Sequence, residues 1–401
     1  MASAGIRRTP TGRYKVWWRL DDGTQGARSF DTRTLAREFK HDLLARVAAD
    51  SWIDPRRGRI TFDEWADRWW QLWSSAPRRS PKGKETTASH LRCHLRPYFG
   101  RRQLRQITPS IVLRWQHELE GKLGHSGVMA CRSILLRIME AARTERLIAT
   151  NPVRDVATPT PRVNPERIFG HERRRTFPPE EFGRFLAACR PFYRDHFIAQ
   201  VGTGLRSGEL LGLRRRRVRP ELRRIEVIEV RYEAGEFGRG FKPEPKSPAS
   251  VRVVPMCDHV RRAVVRQLAA GSDPTDLVFP GPGGSHGIPR GARAPLATHN
   301  LRRVYKAAVA RAGTDLAHLD LRGPHDLRHT FATWLEDAGI PSRVIDELMG
   351  HTGGRRDRTG GSPMGRVYRE TTPAMVARVI AVLDDRIGRA LRDHKAHEYS
   401  P

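Results

Sequence analysis

The sequence predicts a multidomain, mainly α-helical protein with small β-sheets. Its 401 residues are too many for one ordinary hydrophobic core, so two or three folded domains are expected. Apolar residues recur at helical spacing over most of the chain, whereas strand-like runs occur near residues 14–30 and 218–254. We therefore expect a small sheet with a helix, an all-helical domain, a linker, a mixed α+β domain and a flexible tail, at residues 1–57, 58–157, 158–176, 177–387 and 388–401.

The first domain begins with a strand-like run, YKVWWRL at residues 14–20, and Asp-Asp-Gly follows as a hairpin signal. Residues 25–30 are expected to form the returning strand. A helix capped by Thr32 or Thr34 should come next, with Leu35, Phe39 and Leu43 or Leu44 on its apolar face. This segment is therefore expected to be a small sheet covered by one helix.

The all-helical domain opens at Thr61, which we expect to cap a helix together with Glu64. Aromatic residues then follow at near-helical spacing: Phe62, Trp65, Trp69 and Trp73. A surface for stacking nucleic-acid bases is conceivable, but this spacing favours a buried helical face. Residues 74–84, which include Lys82 and Lys84, are expected to form a basic loop. Further helices are predicted at residues 85–97, 108–120 and 126–146.

Charge indicates a polyanionic partner. Lys and Arg number 73 against 44 for Asp and Glu, which gives a formal net charge of +29. Each basic residue that lies near a phosphate releases counterions from the DNA, and this release favours binding. Nucleic acid is therefore the expected partner. A codon bias toward arginine is the alternative explanation, but it would usually raise the acidic residues as well.

Cysteine usage and hydropathy indicate the compartment. The cysteines are widely spaced and form no CxxC pair, so neither a zinc site nor a disulfide framework is expected: Cys93, Cys131, Cys189 and Cys257. The N-terminus lacks the apolar stretch of a signal peptide, and no apolar run reaches the length of a membrane span. We expect a bacterial cytoplasmic protein that binds no membrane and needs no cofactor.

A dispersed set of polar residues is the most informative feature of the chain: Arg206, Lys246, His325, Arg328, His351 and Tyr368. They stand in the motifs TGLRSGEL, PKSPASVRVVP, HDLRHTFAT, LMGH and MGRVYRET. Guanidinium, ammonium, imidazole and phenol groups can break a phosphodiester without a metal, because they supply charge neutralisation, proton transfer and a nucleophile. The motifs hold no cluster of carboxylates, which disfavours a metal-dependent nuclease.

In type and order these motifs resemble the tyrosine recombinase, or phage integrase, family, and HDLRHTFAT is the most specific of them. Upstream, the helical domain resembles the SAM-like core-binding domain of that family, and the N-terminal sheet and helix resemble its arm-type DNA-binding domain. The resemblance implies a tyrosine recombinase catalytic domain near the C-terminus. It also implies a site-specific integrase of a phage or mobile element, which cuts and rejoins DNA through a 3′-phosphotyrosyl intermediate without metal or ATP.

The resemblance implies a role for each residue of the set. Tyr368 would be the nucleophile. Arg206 and Arg328 would bind the non-bridging oxygens of the phosphate, with Glu209 as a supporting acid. His325 would take part in proton transfer and accept the tyrosine proton.

The remaining roles leave more open. Lys246 would protonate the departing 5′-oxygen from a β-hairpin turn, and Lys242 is the fallback. His351 would hydrogen-bond the phosphate. The separation between His351 and Tyr368 is 17 residues (368 − 351), longer than is usual in the family, and a glycine-rich insertion supplies the excess. Tyr399 is the only other tyrosine downstream of His351, but it lacks a motif.

The implied partners are double-stranded DNA attachment sites, further copies of the chain in a tetramer on DNA, and a DNA-bending protein or directionality factor. Bound to DNA, the protein would associate with the nucleoid. We expect DNA contacts from basic residues of the first two domains: Arg13, Lys15, Arg19, Lys82 and Lys84. Alternatively, the arginines are merely solvated and one of Trp17 and Trp18 belongs to a core. A C-terminal apolar helix after Pro373 would dock on a neighbouring protomer or on its own domain.

Two other functions compete with this hypothesis. A type IB topoisomerase shares the arginine, lysine, histidine and tyrosine chemistry, but its DNA-clamping lobes are built differently. A non-catalytic DNA-binding or architectural protein would require none of the six residues, so their occurrence in order argues against it.

Overall fold

The computed structural model describes residues 3–21, 23–49, 57–77, 79–161, 175–242, 251–269, 271, 273–283, 290–351 and 371–398. The chain divides into two compact units, residues 1–163 and 164–401. Their boundary falls inside the segment expected to be a linker, and the finer division into domains stays a prediction. None of the helices in the described part of the chain combines the length and apolar character needed to cross a bilayer.

The first unit begins with an antiparallel sheet whose three strands are in sequence order: Ser3–Arg8, Tyr14–Arg19 and Gln25–Phe30. The first of these strands was not predicted from the sequence. In the central strand Val16 and Trp18 are buried, whereas Trp17 is exposed on the opposite face, as the alternation of a strand requires. Lys15 and Arg19 alternate with the buried pair, so they share the face of Trp17.

A helix, Arg33–Ala48, follows the sheet, and Thr32 caps it by accepting a hydrogen bond from the Leu35 backbone. Ala36 and Leu43 are the buried residues of this helix. Leu43 is buried as predicted, but the expectation that Leu35 shares its apolar face is wrong, because half of the Leu35 surface is exposed and Ala36 is buried instead. Arg13 pairs with Asp31 near the end of the third strand.

The rest of the first unit is helical, in the order Phe62–Ser75, Pro81–His90, a π-helical turn Leu91–Leu95, Arg96–Phe99, Pro109–Glu120 and His125–Thr144. Thr61 and Glu64 form the predicted capping box. Trp65 and Trp69 are buried in the core of this block, so the aromatic stripe is a packing face. The indole N–H of Trp65 donates to the backbone of Ile138 at 3.0 Å, which satisfies its polar edge.

One placement in this block was wrong. Lys82 and Lys84 do not lie in a loop but in the first turns of the helix Pro81–His90. Ser80 caps that helix, and Pro81 occupies its first position, where the missing N–H costs nothing. Lys82 also pairs with Glu85 one turn later. The Ser-Pro pair therefore starts a helix here rather than breaking one.

The second unit combines helices with small antiparallel sheets. Its helices are Pro179–Ala188, Pro191–Thr203, Ser207–Leu211, Asp258–Leu268, Thr298–Ala312, His325–Asp337, Ser342–Met349 and Pro373–Glu398. Its strands are Val218–Arg219, Arg224–Val227, Val230–Glu233, Arg239–Lys242, Arg252–Pro255, Gly281–Gly283 and Arg290–Ala294. In the strand-like run near residues 218–254, Arg224–Val227 pairs with Arg252–Pro255, and Val230–Glu233 pairs with Arg239–Lys242.

The final helix packs on its own domain, the second of the two partners that the sequence left open. Val379, Leu383 and Ile387 are buried in the core of the second unit. Asp384 accepts hydrogen bonds from the backbone N–H groups of Asp258 and His259, so it stabilises the first turn of another helix. The expected flexible tail from residue 388 is wrong in its first part, because this helix continues to Glu398.

Candidate active site

The helix His325–Asp337 places Arg328 in the interior of the second unit. Arg328 is 1% exposed, and its guanidinium donates to two backbone carbonyls: Nη1 to Gly204 at 2.6 Å and Nη2 to Met349 at 2.6 Å. A guanidinium has five N–H donors, so further donors remain for a ligand. The helix thereby joins the motifs TGLRSGEL and LMGH, which lie far apart in the sequence.

Gly204 makes this contact possible. It ends the helix Pro191–Thr203 in a left-handed conformation, with φ of 62°. A Cβ at this position would stand 2.5 Å from the ring of Phe331. Both the backbone conformation and the space therefore require glycine.

Arg206 lies directly before the helix Ser207–Leu211, and its Nη2 donates to the backbone carbonyl of Gly350 at 3.2 Å. The carbonyls of Met349 and Gly350, neighbours in sequence, thus hold Arg328 and Arg206 respectively. The structure therefore brings the two predicted phosphate-binding arginines to the same turn, which His351 follows immediately.

A buried ion pair supports Arg206. Glu209 is 3% exposed and accepts hydrogen bonds from the backbone N–H and the Nη1 of Arg206, both at 2.9 Å. Arg252 contacts both oxygens of the same carboxylate, at 3.2 and 2.8 Å, and donates through Nε to the backbone of Leu348 at 2.6 Å. Burial alone would raise the pKa of Glu209, but the hydrogen bonds and charges of Arg252 and Arg206 outweigh it and lower that pKa.

The role of Arg252 was missed from the sequence. The signal was its position in the motif PKSPASVRVVP, where Arg252 begins a strand beside the lysine.

Among the described residues, Arg328 has no carboxylate within salt-bridge distance. Three guanidiniums, Arg206, Arg252 and Arg328, are thus grouped around Glu209. Burial and then the positive charge of Arg206 lower the pKa of Arg328 to about 10, which leaves it charged at neutral pH. The cluster has an excess of positive charge that favours an anion.

His325 stands at the first position of its helix, one turn before Arg328. Part of the residue is exposed, and its ring meets that of His329 edge to face, with centroids 4.8 Å apart. Desolvation, followed by the charges of His329 and Arg328, lowers the pKa of His325. The imidazole is therefore neutral near pH 7 and can accept a proton.

The loop that leads into this helix is fixed by Asp326, which is fully buried. Its carboxylate accepts from the backbone N–H groups of Arg322 and Gly323, at 2.6 and 2.8 Å, and from Arg175 at 3.0 Å. The hydroxyl of Tyr305 donates to it at 3.3 Å. Tyr305 thus serves the core.

His351 follows Gly350, whose left-handed backbone (φ 64°) ends the helix Ser342–Met349. Its Nδ1 donates to the Oδ1 of Asp346 at 2.9 Å, and its backbone N–H donates to the Asp346 carbonyl at the same distance. The carboxylate fixes the ring and leaves Nε2 free to face a ligand.

Two of the six predicted residues, Lys246 and Tyr368, lie outside the described residues. The fallback Lys242 is described: it ends the strand Arg239–Lys242, and its Nζ lies 5.9 Å from the centroid of the Tyr232 ring. It therefore belongs to a two-stranded hairpin in the same unit as the arginines.

Comparison with known proteins identifies the family. The model described as "Phage integrase family" matches residues 175–356, and "Phage integrase, N-terminal SAM-like domain" matches residues 61–120. A prophage phiRv2 integrase of Mycobacterium tuberculosis is 30% identical over 337 residues, which cover 77% of this chain and 80% of that protein. The chain belongs to the phage integrase family. It is a site-specific recombinase of the tyrosine type.

Further relatives agree with this assignment. A tyrosine recombinase XerC-like protein of Caldanaerobacter subterraneus is 25% identical and covers 73% of this chain and 76% of its own length. The fold is that of the Tn1549 transposon integrase, with a TM-score of 0.57 at 19% identity over 81% of this chain and 99% of that one. A lambda integrase dimer bound to a COC′ core site has a TM-score of 0.55 at 17% identity, and the match covers 92% of this chain and 97% of that one. The predicted fold class is confirmed. The catalytic family match ends at residue 356, so Tyr368 stays a prediction.

Proposed function

We propose that this integrase cuts DNA with Tyr368 as the nucleophile and rejoins it by reversal of the same step. The phenol oxygen attacks the phosphorus, the bond to the 5′-oxygen breaks, and a 3′-phosphotyrosyl linkage stores the bond energy. A 5′-hydroxyl of another strand then displaces the tyrosine. The site-specific integrases among the relatives support this reaction, which consumes no ATP.

The observation that carries the proposal is the pair of guanidiniums held by adjoining carbonyls. Arg206 and Arg328 are fixed by Gly350 and Met349, and no described carboxylate lies within salt-bridge distance of Arg328. Preorganised positive charge of this kind stabilises the additional charge that a phosphate gains in the transition state. We assign the two non-bridging oxygens to these side chains.

Proton transfer follows from the neighbouring groups. His325, neutral at pH 7 because of its lowered pKa, accepts the proton of the tyrosine. In its imidazolium form, which carries an N–H on both nitrogens, His351 donates from Nδ1 to Asp346 and from Nε2 to the phosphate. Lys246 protonates the departing 5′-oxygen, with Lys242 as the alternative donor on the described hairpin.

The partners are inferred in the same way. Lambda integrase is known as a tetramer bound to a Holliday junction, and we propose that this chain assembles likewise on the attachment sites of a mobile element in a bacterial cytoplasm. Its net charge of +29 suits that partner. We further propose that Lys15 and Arg19 bind DNA through the sheet face that they share with Trp17, assisted by Arg13 and by Lys82 and Lys84 of the helical block. A DNA-bending protein or directionality factor would complete the assembly.

A suicide DNA substrate tests the reaction. A nick placed beside the scissile phosphate releases a short fragment on cleavage, so the covalent complex accumulates and migrates slowly in a denaturing gel. The wild-type protein is expected to form this adduct in the presence of a chelator, and Tyr368→Phe to form none while still binding DNA.

Tyr399→Phe is the matched control, because it removes the other downstream phenol, and it should retain the adduct. An adduct that persists in Tyr368→Phe contradicts the assignment of the nucleophile. Relaxation of supercoiled DNA without a sequence requirement would favour topoisomerase activity instead.

A further inference from the structure

Two histidines and a cysteine meet inside the helical block of the first unit, remote in sequence from the catalytic motifs. His90 and His94 are four residues apart on one helix, and Cys131 is buried on the helix His125–Thr144. The potential ligand atoms of all three lie within 4.8 Å of one another. The closest contact joins Cys131 Sγ and His90 Nδ1 at 3.3 Å.

The backbone between the histidines is irregular. Residues Leu91–Leu95 form a π-helical turn, and the N–H of Arg96 donates to the Leu91 carbonyl, one residue further back than in an α-helix. Pro97 contributes to this distortion because it has no N–H to offer the carbonyl four residues earlier. The indole of Trp115 donates to the His94 carbonyl at 3.0 Å and fixes the turn. Turns of this kind occur frequently at functional sites.

We propose that His90, His94 and Cys131 bind a zinc ion. Zinc takes two imidazole nitrogens and a thiolate at about 2.0–2.3 Å, which requires ligand atoms about 3.3–3.6 Å apart in a tetrahedron. The contact between Cys131 and His90 already meets this spacing, and the His94 nitrogen, which lies within 4.8 Å of both atoms, moves closer to them when the ion binds. Water fills the fourth position, since both histidines are only partly buried.

On binding, the zinc–sulfur bond forms and the thiol proton of Cys131 passes to the solvent.

Such an ion would join the helix that carries the histidines to the helix His125–Thr144. It would stabilise the helical block and leave the arginine cluster of the catalytic unit unchanged. The wide spacing of the cysteines predicted no zinc site, because helix packing, not sequence proximity, assembles these three ligands.

Cobalt(II) titration of the full-length metal-free protein tests the site. One equivalent should produce the visible bands of tetrahedral cobalt and a thiolate charge-transfer band, and zinc should displace both. Cys131→Ser and His94→Gln should each weaken cobalt binding at least about tenfold, since loss of outer-sphere partners alone costs that much. Cys93→Ser is the matched control, because this exposed cysteine adjoins His94 and should leave the spectrum unchanged.

The readout is independent of recombination. Absence of the thiolate band at equimolar cobalt would overturn the proposal and leave only a hydrogen bond between Cys131 and His90. A band that is lost in Cys93→Ser but kept in Cys131→Ser would overturn it as well. Because His94 is partly exposed, His94→Gln keeps the test decisive if Cys131→Ser fails to fold.

Discussion

Replacing Glu209 by glutamine should both destabilise the catalytic unit and impair cleavage. The glutamine amide presents N–H groups where the carboxylate now accepts from Arg206 and Arg252. It leaves two guanidiniums without their counterion at a site where the side chain of Arg252 is 5% exposed. Removing one partner of a buried pair costs about 3–5 kcal/mol. Cleavage should fall roughly 100-fold, because misplacing a catalytic group by about 1 Å costs that much.

Urea unfolding with a local probe measures the first effect. Trp334 is the only tryptophan after residue 163, and its buried indole donates to Phe177, so the fluorine NMR signal of fluorotryptophan at this position reports the catalytic unit alone. The midpoint should drop by about 1–2 M. Asp385→Asn is the control: it breaks an exposed pair with Arg389 and should cost at most about 0.5 kcal/mol.

A charge-free double variant separates stability from function. Glu209→Leu combined with Arg252→Met should recover much of the lost stability, since apolar residues can replace a buried ion pair. It should not recover cleavage, because Arg206 loses its anchor. If Glu209→Gln unfolds at the same urea concentration as Asp385→Asn and cleaves normally, the positioning role assigned to Glu209 and Arg252 is refuted.

Three further outcomes are expected. Gly204→Ala should lower the thermal midpoint and abolish cleavage, because it forces φ of 62° on an L-residue and crowds Phe331; normal activity would show that this turn is not rigid. The cleavage rate should fall as the pH drops from 6.5 through the lowered pKa of His325, and an inflection between about pH 6.5 and 9, below the range where a lysine acid deprotonates, would contradict its role as proton acceptor. Hydrogen bonds from Asn151, Arg143 and Arg154 lower the pKa of Glu140 to about 2. The ionised Glu140 therefore makes its full contribution to the free energy of unfolding above its ordinary pKa of 4.5, and this contribution is lost as the pH falls toward 2. Glu140→Gln should make the free energy of unfolding less dependent on pH in this acid range. An unchanged dependence on pH would refute the stabilising role of the Glu140 carboxylate.

Local patterns allowed much of the fold to be predicted from the sequence. The capping box at Thr61 and the tryptophan spacing of the following helix depend on residues within a few turns. The motif HDLRHTFAT likewise lies within the helix His325–Asp337, with His325 and Arg328 one turn apart.

Features that depend on packing could not be predicted. The π-helical turn and the meeting of His94 with Cys131 arise only when two helices pack together. The same holds for Arg252, whose role depends on a carboxylate 43 residues away in sequence. The packing of the final helix also depends on tertiary structure, because its apolar face contacts a core that forms only when the domain folds.

We expect the covalent bond between this recombinase and DNA to form through Tyr368. Trapping the adduct on a suicide substrate, digesting both DNA and protein, and sequencing the modified peptide by mass spectrometry locates that bond. The nucleotide should be attached through a 3′-phosphate to Tyr368 in the peptide VYRETTPAM. A nucleotide attached to Tyr399 or to any other residue would contradict the role of Tyr368 as nucleophile. A linkage through a 5′-phosphate would contradict the proposed 3′-phosphotyrosyl intermediate.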